Sequence, residues 1–203
     1  MKLHALLSGV VLAATFTTAS ALVVTPGNVP QDDSNLVRNP CGLATSDTGL
    51  SVQGCLNDNH SVIVDLSSDE EITIDGGQAT LQPTDGLFST LTIAMPSFST
   101  LILDIDADVD GFVTFTDGAG TSTPFAIDEN GSNFFTLTGI VGNSVTFVTS
   151  LLSGGAETDI VDEVKQIRLG QAVTAIPEPE TYALMMAGLA ALGFIGRRRK
   201  ARK

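Results

Sequence analysis

The chain has 203 residues, a formal net charge of -13 at pH 7, 43% hydrophobic residues, 10 Phe, one Tyr and no Trp. This length accommodates one ordinary domain plus short processing segments, and the Val, Ile, Thr and Gly crowding its middle form a β-rich composition. Six of the ten basic residues lie in the last seven positions, so Leu22 to Ile176 holds 21 acids against Arg38, Lys165 and Arg168; a body this acidic excludes nucleic acid as a partner.

The chain opens with Lys2, an apolar run from Leu6 to Phe16 and the small residues Ala19-Ser20-Ala21. This is the pattern of a secretory signal peptide over residues 1–21, cleaved after Ala21. The polar "TPGNVPQDDSN" that follows predicts an N-terminal arm over residues 22–40.

From residue 41 to 174 the pattern predicts one domain. Apolar and polar positions alternate in "SVIVDL", "EITID", "STLTIAM", "TLILDIDA", "FVTFTD", "TPFAID", "NFFTLTG", "NSVTFVTS" and "KQIRLG", with Gly, Asp, Asn or Pro between most of them. Short strands at a spacing near ten residues predict an all-β fold, an antiparallel β-sandwich with jelly-roll topology. In "TLILDIDA", Leu101, Leu103, Ile105 and Ala107 fall on one face and Asp104 and Asp106 on the other. Cys41 and Cys55 are the only cysteines. Outside the cytoplasm they are expected to pair, with free thiols as the weaker alternative; a disulfide closing a loop of about 15 residues contributes about 3 kcal/mol in the chain-entropy model.

"DIDADVDGFVTFTD" has the spacing of a calcium loop: Asp106, Asp108 and Asp110 at alternate positions, Gly111 next, and Asp117 at the twelfth. Alternate carboxylates can converge on a hard cation while the glycine permits a sharp turn. The loop normally leads into a helix, however, and "FVTFTD" alternates like a strand. The competing reading is a β-hairpin with "DVDG" as its turn, leaving at most a weaker calcium site on Asp106, Asp108 and Asp110. No cofactor other than calcium is implied. His60 is the one histidine after the signal segment, no G-x-S-x-G elbow presents a serine, and carboxylate pairs are too numerous to single out. The chain offers no catalytic constellation and is expected not to be an enzyme.

The last segment, residues 175–203, is tripartite. Pro177-Glu178-Pro179 is followed by an apolar stretch from Tyr182 to Ile195, then by the basic Arg197, Arg198, Arg199, Lys200, Arg202 and Lys203. Alternate prolines delay the helix to the residues after them. The apolar stretch predicts a short C-terminal transmembrane helix, and the basic tail stays in the cytoplasm by the positive-inside rule. This end resembles the PEP-CTERM sorting signal of exopolysaccharide-producing bacteria. The resemblance implies an exosortase as partner and cleavage near the Pro-Glu-Pro. Before processing, the inner membrane anchors a body that lies outside the cytoplasm; afterwards the body reaches the cell surface or extracellular matrix. The reading that follows is an exported, non-enzymatic surface or exopolysaccharide-matrix (biofilm-associated) protein. The alternatives are a carbohydrate-binding module, for which exposed aromatics are scarce, and a hydrolase acting on the matrix.

Overall fold

A computed structural model of the chain describes residues 21–38, 41, 47–129, 131–152, 157–172 and 185–189. The chain divides into two units, one ending at Gln171 and the other beginning at Ala172.

The first unit is built of strands. In chain order these are β1 (Val23–Pro26), β2 (Ser34–Val37), β3 (Thr48–Leu56), β4 (Ile63–Asp75), β5 (Thr80–Pro83), β6 (Thr90–Ala94), β7 (Phe98–Ala107), β8 (Gly111–Asp117), β9 (Gly120–Thr121), β10 (Phe125–Ile127), β11 (Asn133–Thr138), β12 (Ser144–Leu151) and β13 (Val161–Gln171). They join one antiparallel hydrogen-bonded network in the order β1-β11-β7-β13-β2-β3-β4-β6-β12-β8-β10, with β5 bridging β13 and β4, and β9 beside β8. The all-β, antiparallel expectation is met.

Each of the nine alternating segments read from the sequence contributes to a strand, because alternation puts one side of each on a buried core. Leu101, Leu103, Ile105 and Ala107 of β7 are buried, as are Val113 and Phe115 of β8 and Val145 and Phe147 of β12. "SVIVDL" and "EITID" merge into the single long β4. The strand path folds back over this core. Phe115 of β8 packs 5.2 Å from Phe135 of β11, ring centre to ring centre, although the two strands lie towards opposite ends of the order.

The segment expected as an N-terminal arm supplies two strands. β1 pairs with β11 and β2 pairs with β13 and β3. Residues 27–33 between them lie against the outward face of β11 and β13. There the Val29 amide donates to Thr136 Oγ1 at 2.9 Å and Thr136 Oγ1 donates to the Gly27 carbonyl at 2.8 Å. At Gly170 a Cβ would sit 2.8 Å from the Asp32 carbonyl oxygen and 2.2 Å from Thr100 Oγ1, so the close approach requires glycine. Turn residues in the sequence hide these strands, since neither exceeds four residues.

The expected hairpin at "DVDG" is corrected. β7 pairs with β11 and β13, and β8 with β12, β10 and β9. The turn therefore carries the chain across the core, from one part of the folded sheet to another. An Asp-Gly turn signal specifies reversal of the chain, but long-range partners decide what each strand pairs with.

Candidate functional site

Residues of the aspartate stretch go to separate tasks. Asp106 lies on the outward side of β7 and accepts a hydrogen bond from Lys165 Nζ at 2.8 Å. Asp108 and Asp110 are exposed in the turn; Asp110 Oδ1 accepts the Glu129 amide at 2.8 Å. Asp117, at the end of β8, caps two connections: its Oδ1 accepts the Ala119 and Gly120 amides at 2.8 and 3.2 Å, and its Oδ2 accepts the Val141 amide at 2.8 Å. Residues 111–117 are extended, which carries Asp117 along β8 away from the turn by roughly 20 Å at about 3.3 Å per residue. Among the described residues, no three His, Cys, Asp or Glu side chains gather in a group able to hold a metal ion.

Lys165 and Arg168 reach the same outward face through a bulge in β13. Lys165 pairs with Asp104 and Arg168 with Ile102, so β13 spends one residue more than β7, and Gln166 takes up a left-handed φ of 50°. Val164 and Ile167 thus both face the core. Lys165 meets Glu163 as well as Asp106, while Arg168 hydrogen-bonds Asn28 and approaches Asp33 at 3.8 Å. Asp104 has a carboxyl raised above its usual range: burial is the main cause, Asp106 adds to it, and Lys165 and the hydrogen bonds from Ser132 and Asn133 oppose it. Two of the three body cations are spent on this acidic face, which is an ion-pair cluster of the fold.

A second polar cluster joins β4 to β6. Asp69 accepts Ser89 Oγ at 2.6 Å and the Thr90 amide at 2.8 Å, with the Ser89 amide at 3.2 Å, and Glu157 takes a bond from Thr90 Oγ1. Burial pushes the Asp69 carboxyl up, but the donors from Ser89 and Thr90 outweigh it and hold the group below the usual carboxylate range. Sequence reading missed this cluster; "SSDEE" within an otherwise alternating strand was its only signal.

Glu70, Asp85 and Asp159 line an open concavity of about 500 Å³. His60 is exposed in the turn between β3 and β4. The disulfide expectation is met: Cys41 and Cys55 are bonded, with their Cα atoms 5.6 Å apart, and Cys55 is fully buried.

In the second unit, Met185 to Leu189 form helix within the expected membrane segment, and Met185, Met186 and Leu189 are exposed. Among the described residues no helix is long and apolar enough to cross a membrane. The signal segment before Ala21, Pro177-Glu178-Pro179, the boundaries Tyr182 and Ile195, and the basic tail lie outside the described residues.

Against known proteins, the model of the PEP-CTERM protein-sorting motif matches residues 175–200. No curated protein and no solved structure matches the chain. The chain carries a PEP-CTERM sorting motif, which marks it as an exported protein processed by an exosortase, with a membrane-associated step at its C-terminus.

Proposed function

We propose that this is a non-enzymatic component of the cell surface or exopolysaccharide matrix, held at the inner membrane with its β-rich body outside the cytoplasm until an exosortase releases or transfers it. The observation that carries the reading is the sorting motif over residues 175–200. The body suits such a setting. Its 21 acids against three cations keep copies apart and soluble, and the Cys41–Cys55 disulfide belongs to an oxidising compartment. We read the folded sheet as a two-layered, sandwich-like shell around one core.

Replacing Pro177, Glu178 and Pro179 together with alanine tests the sorting step. The variant is expected to accumulate at full length in the membrane fraction, whereas the wild-type chain is shortened and leaves it. Processing at the wild-type rate in the variant would remove the basis for the proposal.

A further inference from the structure

The last strand of the body is one of its innermost. β13 lies between β7 and β2 and also pairs with β5, so it joins β1-β11-β7 to the stretch that runs from β2 to β10. It brings Val161, Val164, Ile167 and Leu169 to the core, each at most 1% exposed. A strand so placed belongs to the cooperative centre of a sheet and not to its fraying margin. The body therefore completes its fold only when the chain through Gln171 has left the cytoplasm. Pairing runs to the end of the strand: Leu169 pairs with Ser34 and Leu101, Gly170 with Thr100, and Gln171 with Phe98. Unzipping β13 from that end beyond the exposed Gln171 would undo the close seat of Gly170 against Thr100 and Asp32, draw Leu169 out of the core and release Arg168 from Asn28.

The sorting motif starts at residue 175, so Ala172-Val173-Thr174 alone separates it from β13. The four Cα-to-Cα steps from Gln171 to the motif reach at most about 14 Å, at about 3.3 to 3.6 Å per residue. A folded domain of about 150 residues has a radius of gyration of about 15 Å, so the tether is no longer than the body's own radius. Before β13 pairs, its 11 residues would add roughly 36 Å of free chain beside the motif. Folding withdraws that length into the sheet. β-rich domains fold in milliseconds to seconds, while the anchored chain has to wait for an encounter with a second membrane protein, so the body is folded when the enzyme meets it.

We infer that the exosortase acts on this chain after the body has folded, and that residues 172–174 are a spacer of limiting length, just long enough for the enzyme to reach the motif beside the folded body. The inference rests on the sorting reading above and adds a regulation of that step by the fold. Pulse-chase of the full-length chain in a host that carries the exosortase tests it. Deleting residues 172–174 leaves the motif and every strand pairing in place, so the purified variant should melt as wild type, yet its processing should slow at least tenfold. Gly-Ser-Gly in their place should restore the rate, because length and not side chains matters. Adding Leu101→Asp to the deletion puts a charge at a fully buried position, unfolds the body and should also restore processing. If that chain is degraded, spacers of none, three and six Gly or Ser residues decide, with processing lost at none and at the wild-type rate at three and six. A deletion variant processed as fast as a shortened wild type overturns the inference alone. So does a Gly-Ser-Gly variant that stays blocked, or a deletion variant still blocked when its body is unfolded. A wild type that is not shortened overturns the inference together with the sorting reading.

Discussion

Gly111 separates two accounts of the aspartate stretch. In a calcium loop the glycine at that place is needed for its freedom of φ, and its loss matters through metal binding. Gly111 is not among the glycines with positive φ; it is the first residue of β8, paired with Leu151 and Ile127. A Cβ there would lie 2.6 Å from the Ser150 carbonyl oxygen and 2.4 Å from Ile160 Cδ1. Backbone at that distance has to shift, so Gly111→Ala should cost about 1 to 3 kcal/mol, the usual range for overpacking. For a chain of this size that lowers Tm by about 2 to 12 °C, at about 2 to 4 °C per kcal/mol. Gly77→Ala is the control, since nothing lies within 4 Å of its Cβ position and its φ is not positive; it should be neutral or stabilising by up to about 1 kcal/mol. Urea titration of both variants, with and without calcium, measures the contrast. Equal midpoints for the two variants, or a Gly111→Ala deficit seen only with calcium present, would refute the reasoning.

Four further outcomes are expected. Millimolar calcium should leave the wild-type Tm unchanged, because Asp117 is bound to three amides and Asp106 to Lys165; a site filled to 100 times its dissociation constant would instead add about 2.7 kcal/mol. Cys41→Ser with Cys55→Ser should lower stability by about 3 kcal/mol, matched by reductant acting on the wild type in the same melt. The lowered carboxyl of Asp69 contributes stability that is present above pH 3.8 and lost as pH falls through its folded value. Asp69→Asn should therefore cost about 1 kcal/mol at pH 7, discounted for partial exposure, and the gap to wild type should narrow below pH 4 in acid titrations. Asp104 carries the opposite sign: its raised carboxyl is a cost that grows as pH rises through 3.8, so Asp104→Asn should melt a little above wild type at pH 7 and level with it at pH 3.

Alternation by itself determined which segments are strands wherever apolar side chains recur every second residue, as in β7, β8 and β12, since that period matches the pleat and the core face follows from it. The export and exosortase processing of the protein were likewise legible in the chain alone, because Pro-Glu-Pro, an apolar stretch and a basic cluster in that order form a signal read along it. Tertiary structure alone decided strand partnership. Nothing local tells β7 to pair with β11 and β13 while β8, three residues further on, pairs with β12 and β10; that choice belongs to residues distant in sequence burying Phe115, Phe135 and Phe147 together. For the same reason the aspartates, adjacent in the chain, disperse to Lys165, Glu129 and Val141. Ser51, Ser67, Thr92, Thr146, Thr116 and Thr121, scattered over 96 positions, become neighbours only because backbone hydrogen bonds fix the register of six strands, and a slip of one residue would turn them inward.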